Sequence, residues 1–352
     1  MISHFENTLT KQIYKKRIDF FSDEYVDSVE KGLVVPKYDS IFDEVDWTKE
    51  PIESLETLSK QRALQLREKY SYLILYFSAG SDSTTVLNIF VRHNIPIDEV
   101  IINSFSDIDD DRYNGQIAID YLKKINYRGK VTVVNIDYKV LDKFINKQVW
   151  TTYSYFAGSL HTLNRFAISD FERYDLITSI SRPTNTGHIY GEACPIIKVY
   201  NKKYYAQFPV RIVGGCITTD NSTLFYCSDD FPQIDIKQSH IIAKYWREHF
   251  PEQKTILGTE PTQRILYKSL IRDPWDTKAD FQKANLSGLV NMLDPRSESA
   301  KLISLYKEKE PRLLRDYYSS IIKPYTDTKL YKNYKTTGPI GKVQVNFYLF
   351  DA

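Results

Sequence analysis

The residues best suited to chemistry in this sequence are six small or polar ones in a row, Ser78-Ala79-Gly80-Ser81-Asp82-Ser83. A polyphosphate chain needs several donors converging on one place. Small residues let backbone N–H groups approach an anion closely, and successive amides in a tight turn form an anion-binding concavity. A helix starting at the same point adds its unpaired first-turn amides and a partial positive end. Ser78, Ser81 and Ser83 bring hydroxyl donors, and Asp82 is the expected ligand of a Mg²⁺ ion. The other reading of the string is a strand-to-helix turn whose serines only cap the helix.

The elements that must position this string are legible on either side of it. Residues 72–77 (Tyr-Leu-Ile-Leu-Tyr-Phe) form a continuous apolar run, which suits a parallel strand covered on both faces. Val86, Leu87, Phe90 and Val91 then fall at helical spacing. The alternation continues with strands predicted at 99–105, 131–136 and 176–180, and helices at 114–125, 140–149 and 160–171. Such alternation implies a mostly parallel α/β sheet with right-handed crossovers and helices on both faces. After Arg182 it stops. Residues 196–200 and 204–210 read as a hairpin around Asn201-Lys202-Lys203, and helices follow at 239–249, 262–271 and 297–306. The last fifteen residues are β-like. The expected organisation is an N-terminal helical extension (1–69), a nucleotide-binding domain (70–215) and a mainly helical C-terminal substrate or accessory region (216–352).

Segment 78–83 resembles the S-G-G-x-D-S motif of the PP-loop ATP pyrophosphatases, or adenine nucleotide alpha hydrolases. Ser78, Gly80, Asp82 and Ser83 match it, while Ala79 stands where the family has its first glycine. Alanine tolerates positive φ poorly, so Ala79 is the point at which backbone strain is expected. The resemblance covers roughly residues 70–215. It implies a three-layer α/β/α sandwich of the HUP, Rossmann-like PP-loop type, with ATP and Mg²⁺ as cofactors. It also implies that Ser78, Ala79, Gly80, Ser81, Asp82 and Ser83 hold the phosphates and that Asn103, Ser104 and Phe105 hold the adenine. Asp82 would carry the metal, and Arg182 would face the α-phosphate as its partner in catalysis. Phe105 reads equally well as core, and Arg182 as a surface arginine before Pro183.

The implied reaction is adenylation of an acceptor oxygen with release of pyrophosphate, by an AMP-forming ligase or transferase. It would serve ligation, amidation, or modification of a nucleotide or nucleic acid, and the residues name no acceptor. The alternatives are a non-catalytic adenine-nucleotide-binding protein and a cysteine-poor sulfonucleotide reductase-like protein. No cysteine follows Cys227, whereas those reductases use one near the C-terminus.

Other candidates carry less. Asp107, Asp109, Asp110 and Asp111 read as a solvated loop before a metal site. His188 is a lone histidine, weak as an acid or base. Arg264 and Lys268 share a helix face, read as a solvated basic face or as cations reaching the acceptor or pyrophosphate. There is no G-x-x-x-x-G-K-[ST] and no G-x-G-x-x-G, which removes the P-loop and dinucleotide readings. Cys194, Cys216 and Cys227 include no C-x-x-C pair. A net charge of +2 announces no global field for nucleic acid, which leaves a nucleic-acid partner open but unindicated. The start of the chain has no signal-peptide pattern, and no apolar run reaches membrane-span length, so a reducing cytoplasm of a cell or infected host is expected.

Overall fold

A computed structural model describes residues 2–7, 9–14, 34–38, 44–104, 115–135, 182–191, 195–200, 202–208, 222–228, 230–251, 266, 268–274 and 345–351. Its strands are β1 (Ile2–Asn7), β2 (Ile13–Tyr14), β3 (Val34–Tyr38), β4 (Tyr72–Tyr76), β5 (Glu99–Ser104), β6 (Lys130–Asn135), β7 (Thr186–Tyr190), β8 (Ile196–Tyr200), β9 (Lys203–Phe208), β10 (Ser222–Leu224) and β11 (Val345–Asp351). Its longer helices are α1 (Leu55–Lys69), α2 (Ser81–Arg92), α3 (Gln116–Lys124) and α4 (Gln233–His249).

The centre is a five-stranded sheet in the order β10-β7-β4-β5-β6, and every ladder in it is parallel. The chain builds β4, β5 and β6 outward in one direction, then returns to lay β7 and β10 on the other side of β4. The direction of travel therefore reverses between β4 and β7. Leu73, Leu75 and Phe77 point to one face of β4, where they join α1, α2 and α3 in a core with Leu58, Leu66, Val86, Phe90 and Leu122. Ile74 and Tyr76 point to the opposite face and are buried as well. This double burial is why β4 is apolar without alternation.

Local chemistry sets the helix ends. Ser54 caps α1, its Oγ accepting from the Thr57 amide at 3.1 Å. Helices α2 and α3 both close through an asparagine in the left-handed region, Asn94 (φ 54°) and Asn126 (φ 52°). In each, the following amide reaches back, Ile95 to the Phe90 carbonyl at 2.9 Å and Tyr127 to the Leu122 carbonyl at 3.0 Å.

Several expectations change. The N-terminal part contains strands: β1 pairs antiparallel with β2 and β3. The predicted fourth strand at 176–180 lies outside the described residues, and the strand beside β4 is β7. The boundary at 215 cuts the sheet, because β10 is one of its strands. Helix α1 is tied across the boundary at 69. Buried Arg62 on α1 donates to Thr223 Oγ1, the Leu224 carbonyl, Ser228 Oγ and Asp230 Oδ1 at 2.8–3.2 Å. The expected hairpin forms from β8 and β9, and β11 pairs with β9 to make a three-stranded antiparallel sheet. The predicted helices at 140–149, 160–171 and 297–306 lie outside the described residues. Among the described residues, no helix is long and apolar enough to cross a membrane.

Candidate phosphate-binding site

Because the central sheet is parallel, the ends of β4, β7 and β10 lie on one edge, and segment 78–83 leaves β4 there. Ala79 adopts φ 53°, so the strain expected at this position is present. Gly80 then takes an extended conformation as the cap of α2 and has no side chain with which to accept from the first-turn amides. The Thr84 amide makes the first helical bond, to the Gly80 carbonyl at 2.9 Å. The amides of Ser81, Asp82 and Ser83 precede it and have no partner within the helix.

The hydroxyls fold the turn back on itself. Ser78 N–H donates to Ser83 Oγ at 3.3 Å, and the two serine hydroxyls lie 3.4 Å apart. Gly191, just past β7, lies against the same turn. A Cβ there would stand 2.8 Å from Ser83 Cα and 2.9 Å from its nitrogen, so only glycine fits without displacing backbone.

Two cations meet at the turn. Lys268 Nζ donates to Ser81 Oγ at 2.8 Å and to Asp82 Oδ2 at 2.7 Å. Arg272 Nε donates to Asp82 Oδ1 at 2.8 Å. The Arg272 guanidinium lies 3.6 Å from the centre of the Tyr226 ring, and the Tyr226 hydroxyl donates to the Asp82 carbonyl at 2.8 Å. Lys268 and Arg272 are one helical turn apart, joined by the Arg272 amide to the Lys268 carbonyl at 2.9 Å. The turn is pinned along α2 by Asp273, whose amide donates to Thr85 Oγ1 at 2.9 Å and whose carboxylate accepts from Asn88 and Arg92. The Lys268 and Arg272 side chains are only 7% and 0% exposed, so the charges are withdrawn from water. Burial alone would raise the Asp82 carboxyl, but the charges and hydrogen bonds of Lys268 and Arg272 outweigh it and hold it far below the ordinary carboxylate range.

The sequence matches no protein-family model and no curated protein. The assignment of the site therefore rests on its geometry and on the motif.

The structure brings together Ser78, Ala79, Gly80, Ser81, Asp82 and Ser83. It also places Asn103 and Ser104 at the end of β5, on the same edge of the sheet. Asn103 Oδ1 is buried without a hydrogen-bond partner. Phe105, Asp107, Asp109, Asp110, Asp111 and Arg264 lie outside the described residues, as do Cys194 and Cys216.

Arg182 is not at this edge. It precedes β7 and donates from Nε and Nη2 to the Glu99 carboxylate at 3.0 and 3.1 Å, where β5 begins. A five-residue strand rises about 15 Å, and that length separates Arg182 from the turn. The strand expected before Arg182, at 176–180, lies outside the described residues, and the strand that follows it, β7, carries the chain away from it toward the turn. His188 lies within β7, with Nδ1 3.0 Å from the Tyr76 hydroxyl. Burial, helped by the Arg182 charge, lowers it to about 4, so it is a neutral core group at pH 7 and no acid or base for this site.

Magnesium at Asp82 does not fit this arrangement. Both carboxylate oxygens accept from cations, and a divalent ion there would face Lys268 and Arg272 at salt-bridge range. Among the described residues, no group of three His, Cys, Asp or Glu side chains could hold a metal ion.

The sequence reading missed Arg272, Tyr226 and Gly191. Arg272 was within reach of it, since it continues the Arg264–Lys268 spacing by another four residues.

Proposed function

We propose that this chain binds the phosphates of ATP at the turn after β4 and promotes cleavage between the α and β phosphates. The carrying observation is the convergence of two buried cations, Lys268 and Arg272, on the uncapped start of α2. The turn also lies beside the reversal between β4 and β7, the place where open α/β sheets hold ligands. The strand order and the residues buried on both faces of β4 support a three-layer, Rossmann-like sandwich of the PP-loop type.

In the reaction, an acceptor oxygen attacks the α-phosphorus. The bond from the α-phosphorus to its bridging oxygen breaks, and pyrophosphate leaves with the electron pair. The first-turn amides and the two cations hold the phosphates and neutralise the charge that builds on the departing pyrophosphate. The α2 amides point at the phosphate chain, and Asn103 and Ser104 offer polar groups to the base at the neighbouring strand end.

A second reading, a nucleotide-binding protein without turnover, is favoured by the position of Arg182. Neither residue expected to catalyse stands ready, since Arg182 is at the far edge and Asp82 is ion-paired. Incubating the chain with labelled ATP, ammonia and a panel of carboxylate and nucleoside acceptors separates the two. Catalysis gives AMP and pyrophosphate in equal amounts. Tight ATP binding with neither product supports the second reading, and ADP with phosphate would contradict cleavage at the α-phosphorus.

A further inference from the structure

We propose that the three-stranded sheet of β8, β9 and β11 docks single-stranded nucleic acid. Lysines on its outer face pair with the phosphates, and tyrosine rings between them stack on the bases. The proposal is independent of the phosphate site at the turn after β4.

Strand alternation sorts the side chains of this sheet onto two unlike faces. Ile197, Val199, Tyr204 and Ala206 share one face, and the register puts Phe350 beside Tyr204. Ile197, Tyr204 and Ala206 are buried. This face packs on α4, with the Phe350 ring 5.5 Å from the His240 ring and 4.8 Å from the Arg247 guanidinium. The other face carries Lys198 and Tyr200 from β8, Lys203 and Tyr205 from β9, and Tyr348 from β11.

Cation and ring alternate across that outer face. Lys198 stands opposite Tyr205, and Tyr200 opposite Lys203, so the two strands present the pair in reversed order. Tyr348 stands opposite Tyr205, their rings edge-on with centres 5.8 Å apart. Lys203 Nζ lies 5.3 Å from the centre of the Tyr348 ring. Lys202, exposed at the tip of the hairpin with φ 58°, adds a third cation.

Three features choose the occupant. The rings can be reached: Tyr200 is 60% exposed, and Tyr205 and Tyr348 are half-buried. The charge is unspent: among the described residues, Lys198, Lys202 and Lys203 make no ion pair. The Asp351 carboxylate, on the neighbouring strand, accepts from the Tyr348 hydroxyl at 3.0 Å and so helps to orient that ring. The composition is also selective. A lipid surface is met by Trp, Phe and Leu beside the cations, and this face offers tyrosine alone. A duplex keeps its base faces stacked inside, whereas a single strand presents phosphates and bare base faces together.

The test uses the full-length chain with labelled oligothymidylate, oligouridylate and the oligothymidylate–oligoadenylate duplex, by fluorescence anisotropy over a salt series. Wild type is expected to bind a single strand more tightly than the duplex, with affinity falling as salt rises. The triple variant Lys198→Gln/Lys202→Gln/Lys203→Gln should reduce the slope of log affinity against log salt by about 2. Tyr200→Ala should weaken binding about tenfold, and Tyr200→Phe, which keeps the ring, should bind as wild type does. The proposal is overturned if neither single strand binds at low salt, if the duplex binds as tightly, or if the lysine and Tyr200→Ala variants bind like wild type. Displacement of the strand by ATP at constant ionic strength would place it at the turn after β4 and overturn the docking surface too. Should the triple variant unfold at lower temperature than wild type, the Tyr200→Ala and Tyr200→Phe pair decides.

Discussion

The two edges of the parallel sheet each hold a carboxylate shielded from water, and they answer it in opposite ways. At the edge where the strands begin, Glu99 accepts from the Tyr72 hydroxyl (3.0 Å), the Thr132 hydroxyl (2.5 Å) and two nitrogens of Arg182, with Lys130 at 3.3 Å. Tyr72 and Thr132 stand on the neighbouring strands, each two residues from the register partners of Glu99, Ile74 and Lys130, so the sheet that creates the charge also satisfies it. At the edge where the strands end, the Asp82 carboxylate is held by two cations from a segment far along the chain. Polar partners built into the sheet make a closed structural site. Partners brought by a separate turn, beside a helix start, make a site whose charges meet only through tertiary packing.

The largest expected effect tests the closed edge. Glu99→Ala takes the Glu99 carboxylate away from the Arg182 guanidinium, 8% exposed, at a cost of about 3 kcal/mol in urea unfolding. Pyrophosphate affinity should not change; a parallel loss of affinity would show that the two edges are coupled. The same group sets an acid limb. Burial pushes Glu99 up, but the Arg182 and Thr132 hydrogen bonds win and bring it from 4.5 to about 2. A depressed carboxylate stabilises the fold fully above its unfolded value. That stability, about 3 kcal/mol, should drain away as pH falls from 4.5 towards 2, and Glu99→Gln should flatten this limb.

The next effect lies between the edges. His188 is lowered from 6.5 to about 4, first by burial and then by the Arg182 charge, with Glu99 opposing. The unfolded chain takes its proton first. The neutral ring therefore contributes stability in full above pH 6.5, and up to about 3 kcal/mol is lost as pH falls from 6.5 to 4. In NMR its ring signals should stay unprotonated at pH 6. Titration near 6.5 would mean that the middle of β7 opens to water, and the contrast between the closed sheet and the turn at its edge would lose its footing.

What could be read in advance followed from locality. Strand β4 announced itself because burial on both faces demands an unbroken apolar run, and α2 because its buried residues recur at helical spacing. The turn between them was legible because its chemistry is contiguous. Strand β7 was not, since Thr186-Gly187-His188 looks like a loop and becomes a strand only through pairing with β4. Arg182, read as standing near the turn, lies instead at the start of this unread strand. Strand β1 was hidden for a similar reason: most of its partners are in β3, far along the chain, so no local pattern marks it. The Lys268–Arg272 clamp lies 186 residues from Asp82, and its spacing was visible but its destination was not.

The smallest effect concerns the turn itself. Ala79, Asn94 and Asn126 sit at φ 53°, 54° and 52°. The asparagines end helices, a position their side chains tolerate, and Asn94→Gly should change stability by less than about 0.5 kcal/mol. Ala79 has no such accommodation, and its left-handed backbone costs roughly 1–2 kcal/mol. Glycine would relieve that strain, yet it also frees the unfolded chain by about 0.4–1 kcal/mol and removes a buried methyl worth about 0.8 kcal/mol. These contributions nearly cancel, so Ala79→Gly should leave stability within about 0.5 kcal/mol of wild type. The substitution thereby isolates access to the backbone. With the methyl gone, phosphate oxygens can come closer to the amides, and pyrophosphate affinity should rise a few-fold with no change in unfolding. A loss of stability well above 1 kcal/mol, with affinity unchanged, would show instead that the Ala79 methyl is core packing and that the turn faces the protein, not a ligand.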